Sequence, residues 1–170
     1  MALIVEDGTG KSNAQSYSTV AFYRSEMALR GVVVTAETDA DIESRLYLGF
    51  NYMLQRYRQE WSGLRKTVTQ NSDFPRFMMP IPDVFGSVGW YYDDASVPAE
   101  VSKANVLLAY RAKTVTLLPD IEPTVTSEYI AGAISVTYDT KSTPYTTFGE
   151  IDFMLSPYFS NAGSKGFIHR

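Results

Sequence analysis

The stretch Val5-Glu6-Asp7-Gly8-Thr9-Gly10-Lys11-Ser12 ends in a glycine, a lysine and a hydroxyl, the residue types that close a phosphate-binding loop. Such a loop works because consecutive backbone N–H groups form a concave cradle, and the lysine opens a helix whose N-terminus faces the phosphates. It also needs a glycine five positions before the last one. Val5 stands there, and a β-branched residue resists the backbone angles required. The next residues, 13–18, are rich in side chains that compete with a helix for backbone hydrogen bonds. Apolar residues turn periodic only from Val20, and no apolar strand ending in an acidic magnesium ligand follows. The segment therefore reads as an exposed turn after a short strand over 2–5, rather than as a nucleotide site.

The other candidates for chemistry are weaker. His169 is the single histidine and lies next to the end of the chain, a poor place for a catalytic triad or an imidazole metal site. Glu37, Asp39, Asp41 and Glu43 look like a cation site on paper. On a helix, residues two apart point about 200° away from one another, so these carboxylates diverge and suit a negatively charged helix start instead. Asp93 and Asp94 read the same way. Arg56, Arg58, Arg65, Lys66 and Arg76, interleaved with Trp61, Phe74 and Phe77, have the makings of a single-stranded nucleic-acid grip, which combines cations with stacking rings. Glu60 and Asp73 stand against it. Contact with an acidic protein surface, or plain solvation around a core tryptophan, accounts for the same residues. No catalytic constellation emerges, and neither a cofactor nor a metal is expected.

Composition sets the frame for these residues. A chain of 170 residues makes one domain, or one domain with an arm. Fifteen basic against nineteen acidic side chains give −4, which argues against a nucleic-acid-binding polycation. Without cysteine there is neither a disulfide nor a thiolate metal site. No apolar run approaches the roughly 20 residues of a membrane span and no secretory leader is evident, so a soluble protein made in a cytoplasm is expected, with no membrane partner. Twelve tyrosines and nine phenylalanines form a heavy aromatic load, of the kind found at subunit contacts.

The elements that must position these residues are mostly helical. A first helix is expected over 18–30, opened by Ser16 or Ser18 and stopped by Gly31. A second is expected over 39–61, capped by Thr38, with Ile42, Leu46, Gly49, Met53 and Tyr57 on one stripe; its length would be roughly 34 Å. Periodicity then vanishes over 62–96, where prolines and glycines interrupt a long aromatic loop whose side chains need a partner surface. A third helix is expected over 97–113, with Val101, Ala104, Leu108 and Ala112 facing the core. Pro119 and Pro123 end the helical part. EYIAGAISVTY, residues 128–138, suggests a strand pair or a bent strand, and 152–158 a short helical turn. The fold class is thus mainly α: a three- to four-helix bundle over 1–118 containing the 62–96 loop, then a small β element and an extended C-terminal arm over 119–170.

The order of these parts resembles a family of tailed-phage proteins. The resemblance rests on MALIVEDGTG followed by NAQSY, on the helix ending YRQEWSG, and on DFPR, VPAEVSKANVLLAYRA, ISVTY and IDFMLSPY. It spans most of the chain, and departs from the family where 77–92 is longer and more aromatic. Members are often labelled DnaT-like single-stranded DNA binding proteins, while their helical architecture resembles head–tail connector proteins. The resemblance implies a structural virion protein, not an enzyme. Such a protein forms a ring of usually twelve copies in the head–tail neck, between the portal protein and tail or nozzle proteins, and extends the DNA channel. Double-stranded DNA would then pass through without specific binding. Under that expectation Trp90, Tyr91 and Tyr92 are loop contacts, and Tyr158, Phe159, Phe167 and Ile168 are arm contacts, with packing inside the subunit as the competing assignment for each. The alternative is a single-stranded DNA binding or replication accessory protein using Arg56, Arg65 and Lys66.

Overall fold

The computed structural model describes residues 3–81, 84, 89–119, 125–127, 137–138 and 147–160, with 125–127 and 137–138 described in backbone only. Its centre is a pair of helices, α2 (Asp39–Tyr57) and α3 (Ala99–Arg111). Thr38 caps α2: its Oγ accepts from the Asp41 backbone N–H at 3.2 Å while its hydroxyl donates to the Asp41 carboxylate at 2.7 Å. Ile42, Leu46, Gly49, Phe50, Met53 and Tyr57 are buried along one stripe of α2, as their spacing predicts. Each large side chain so buried is worth roughly 1.5–3 kcal/mol relative to exposure. Opposite them α3 buries Val101, Ala104, Leu107 and Leu108. Gly49 sets the distance between the two helices, because a Cβ there would lie 3.0 Å from Asn105 Nδ2, Asn105 O and Leu108 Cβ.

α2 ends at Tyr57, earlier than the expected 61. Arg58 turns away from the helix axis to bond the Asp73 carboxylate and the Asn71 carbonyl, and the Trp61 backbone bridges to Phe159. Tertiary partners thus outcompete the next helical turn. Helix α1 (Val20–Leu29) is capped by Thr19, whose side chain accepts from the Phe22 N–H; Ser16 and Ser18, the expected caps, serve other groups. Ser16 Oγ lies 2.8 Å from Asn105 Oδ1, and the Ser18 hydroxyl donates to the Ser102 carbonyl at 2.7 Å. Gly31, at φ +72°, takes the left-handed position past the end of α1, as expected.

The segment expected to be an irregular loop carries its own pairing. Strand β1 (Leu64–Arg65) runs antiparallel to β2 (Arg76–Phe77), with Leu64 opposite Phe77. The chain then returns on itself: the Ile81 N–H donates to the Trp90 carbonyl at 3.1 Å and the Tyr92 N–H to the Met79 carbonyl at 2.9 Å. These pairs span two or three residues each, too short to leave a periodic trace. Phe74 and Met79 are buried beneath them.

Past α3, strand β3 (Val125–Ser127) pairs antiparallel with β4 (Thr137–Tyr138). The β element therefore begins before the expected 128. Helix α4 (Gly149–Leu155) and a 3-10 turn (Ser156–Tyr158) follow, close to the expected helical turn. Ile151 and Leu155 join the core against α3, and Phe159 stacks on Tyr57 with ring centroids 5.5 Å apart. Among the described residues, four helices and small antiparallel pairs make a mainly α fold, as expected.

Candidate functional site

The loop that resembles a phosphate cradle holds an anion of the protein's own. Glu6 is 3% exposed, and its carboxylate accepts from the backbone N–H groups of Gly8 at 3.0 Å, Gly10 at 2.9 Å and Lys11 at 2.8 Å. The Ser72 hydroxyl lies 2.9 Å from the same carboxylate and shares its proton between it and the Phe74 carbonyl at 2.5 Å. Gly8 and Gly10 sit at φ +97° and +78°, conformations that turn their N–H groups inward and that other residues resist. The Ala95 carbonyl occupies the space where a Gly8 Cβ would go, 2.1 Å from it. Lys11 points back, donating to the Val5 carbonyl at 2.8 Å and pairing with Asp7 at 2.8 Å. The turn is exposed at Asp7, Thr9 and Ser12, as expected, and it is wound around a carboxylate clamp that ties the N-terminus to the loop around Ser72.

The basic cluster separates on folding. Arg76 is 7% exposed and donates to the carbonyls of Ser62 at 2.7 Å, Gly63 at 2.7 Å and Asp73 at 3.2 Å, so it holds the β1–β2 turn from inside. Arg58 pairs with Asp73, whose other oxygen accepts from the Trp61 indole N–H at 3.2 Å. Burial pushes the Asp73 carboxyl up, against the opposing pull of Arg58. Lys66 pairs with Asp94 at 3.1 Å, while Arg65 gives an N–H to the Gln70 carbonyl. The Arg56 guanidinium lies 5.6 Å from the Tyr57 ring centroid. Trp61 and Phe74, the rings meant for stacking, are in the core, edge to face at 4.9 Å. Of the grip, Arg56, Arg58, Arg65, Lys66 and Phe77 remain exposed.

A different set of side chains faces outward. Trp90 is 58% exposed, Phe77 49% and Tyr91 47%, with Met78 next to Phe77 and Leu64 opposite it across β1–β2 also exposed. Their base is rigid: Arg76 and Met79 lie beneath, Gly63 at φ +67° packs against Phe77 and Met79 backbone, and Tyr92 rests on Tyr158 at 5.0 Å. Met78 takes φ +54°, a left-handed conformation that costs a non-glycine residue of order 1–3 kcal/mol. Met78 and Leu64 had no distinguishing mark in the sequence, since neither belongs to a period or a motif.

Tyr92 is half-buried and Tyr158 buried. Phe159 packs on Tyr57 and Trp61. Those three expected contacts therefore lie within the subunit's own packing, whereas Trp90 and Tyr91 remain free to meet a partner. Phe167, Ile168 and His169 lie outside the described residues. The acidic run at the start of α2 diverges: Glu37 pairs with Arg45 and Lys113, Asp39 with Arg24, and Asp41 with the Thr38 cap. Among the described residues no three metal-ligating side chains cluster, and no helix is long and apolar enough to cross a membrane. A cleft of about 510 Å³ between α2 and residues 112–118 is lined by a single titratable side chain, Lys113, itself held by Glu37.

No curated protein and no solved structure matches the chain. A family model, described as "Putative DnaT-like ssDNA binding protein", matches residues 1–170. With its full length matched, the chain belongs to this DnaT-like family.

Proposed function

We propose that the protein is a structural assembly component, the head–tail adaptor of a tailed phage, which joins the portal to the tail as a ring of copies and extends the DNA channel. The observation that carries this reading is the outward-facing apolar set Leu64, Phe77, Met78, Trp90 and Tyr91 on a base locked by Arg76. Exposed aromatic side chains on a pre-ordered scaffold suit a protein interface, because they bury large areas at little cost in conformational entropy. A large share of the cations available for nucleic acid is meanwhile bonded to the protein's own carbonyls and carboxylates. Native mass spectrometry of the protein, alone and with portal from the same phage, tests the reading. The expected result is a portal-bound ring, of twelve copies on the family resemblance. Failure to associate with portal overturns it.

A second reading rests on the family description itself: binding of single-stranded DNA. Arg56, Arg65 and Lys66 with Phe77 are the exposed groups it would use. It requires an affinity that falls steeply with salt and weakens when those three cations are neutralised.

A further inference from the structure

Two apolar patches stand at opposite ends of α3. One is the face of Leu64, Phe77, Met78, Trp90 and Tyr91. It rests on Tyr92, whose ring lies on Tyr158, and the Tyr158 hydroxyl donates to Glu100 in the first turn of α3. The other flanks the turn at Gly31: Leu29 is 82% and Val33 83% exposed, more than any ring of the first face. Arg30, between them in the chain, pairs with Glu150 at 2.7 Å, and the same carboxylate pairs with Arg111 in the last turn of α3 at 3.6 Å. The thirteen residues of α3 thus hold the two patches roughly 20 Å apart.

The patches differ in kind. Leu29 and Val33 project from a tight turn, fixed where Gly31 takes φ +72° and Val34 is buried beneath. The first face is broader and aromatic, its rings half exposed over a buried base of Arg76 and Met79. A pair of aliphatic knobs covers little of a copy of itself, whereas an aromatic surface can cover the knobs. Two different surfaces that fit one another make a heterologous contact, in which every copy uses one patch toward each neighbour and the succession closes into a ring when the rotation per copy allows.

Charge agrees with that pairing. Glu26 lies one turn before Leu29 on the same side of α1, and Arg65 follows Leu64 on β1. Among the described residues neither of them is in an ion pair. The other charges nearby are matched within the chain: Arg24 by Asp39, Arg30 by Glu150, and Lys66 by Asp94, while Asp93 accepts from the Ala95 N–H. Each patch is therefore left with one unmatched charge at its rim, and the two have opposite signs.

We propose that the patches bind one another between copies: Leu29 and Val33 of one copy seat on the Phe77, Trp90 and Tyr91 face of the next, with Glu26 opposite Arg65. This names the subunit contact of the ring and rests on the adaptor reading. Weakening it weakens portal association too, because a ring engages the portal at many points at once.

The chain has no cysteine, so introduced thiols report without background. Ala28→Cys and Leu64→Cys are made as separate full-length proteins, each at an exposed position beside one patch, and each is checked by thermal melt. They are mixed with a short thiol-to-thiol crosslinker at high protein concentration, and again with portal present. Crosslinked dimers are expected in the mixture at a yield at least about tenfold above either variant alone. Glu26→Arg in the Ala28→Cys protein is expected to lower that yield severalfold, and Arg65→Glu in the Leu64→Cys protein to restore it. Dimers of like with like, no dimers in either setting, or no response to the charge exchange overturn the proposal. A portal-bound ring without the crosslink removes this contact and leaves the adaptor reading standing; the crosslink without portal association does the reverse.

Discussion

Gly49 of α2 and Asn105 of α3 meet across the contact between the two helices, the absent Gly49 side chain leaving the space that the Asn105 amide occupies. From there Asn105 Nδ2 donates to the Leu46 carbonyl at 3.0 Å, and its Oδ1 accepts from the Tyr17 N–H at 3.1 Å and faces Ser16 Oγ at 2.8 Å. One fully buried amide thus joins the N-terminal segment to both central helices. Asn105→Ala is expected to cost about 2–4 kcal/mol, since it strands buried donors and opens a cavity. Urea denaturation reads this directly, and a loss below about 1 kcal/mol would remove Asn105 from that role.

The Glu6 clamp reverses what a nucleotide loop predicts for mutagenesis. There the lysine is the critical residue; here the glutamate is. Glu6→Ala is expected to destabilise by about 2–4 kcal/mol, because three inward-facing N–H groups lose their acceptor. Lys11→Ala touches a partly exposed pair and is expected to cost under about 1 kcal/mol. Thermal melts of the two variants side by side decide which order holds.

Arg76 distinguishes scaffold from nucleic-acid contact. Arg76→Gln is expected to lower stability by about 2–4 kcal/mol through the unpaired carbonyls of Ser62, Gly63 and Asp73. Arg65→Gln, at an exposed site, is expected to stay within about 0.5 kcal/mol. Were Arg76 instead a DNA contact, its loss would flatten the salt dependence of binding and leave the melt unchanged.

Acid sensitivity is expected from Glu100 and Glu37. The Tyr158 hydroxyl, 2.5 Å from Glu100 Oε2, holds that carboxyl below the usual glutamate range. Burial raises the Glu37 carboxyl, but Arg45 and Lys113 together outweigh it and leave it lowered. A carboxyl lowered on folding contributes stability that is present above its unfolded value, 4.5 for both, and is lost as pH falls through the folded one. Wild type should therefore lose stability below about pH 4.5. Tyr158→Phe should be less stable near neutrality, and its curve should approach that of wild type in acid. Parallel curves for the two proteins in denaturant titrations across pH 3–7 would remove Glu100 from this account.

The exposed face offers a separation of folding from function. Trp90→Ala with Tyr91→Ser is expected to leave the thermal midpoint nearly unchanged, both side chains being about half exposed. On the proposed adaptor reading, portal association should fall at least about tenfold, the loss of an aromatic anchor pair. If association survives, the Trp90–Tyr91 face is not the contact.

Much of this molecule could be read locally. The Thr38 cap, the Ile42-to-Tyr57 stripe, Gly31 after α1 and the short helix near 152 each depend on neighbours within a few residues. Spacing and capping chemistry therefore announced the helices. Side-chain roles could not be read the same way, because they depend on partners far along the chain. Glu6 read as part of an exposed turn until Ser72 and three amides closed on it, and Arg76 looked like a surface cation until the turn at Gly63 wrapped its carbonyls around the guanidinium. Tyr158 was indistinguishable from Tyr91 by type, yet Glu100 and Tyr92 hold the first inside while the second stands in solvent. The sequence by itself determined that the helices form and which faces they bury, since those follow from backbone geometry and period. Only the tertiary structure decided which charges and rings are free to act, because a buried polar group must be satisfied by whatever the fold brings beside it.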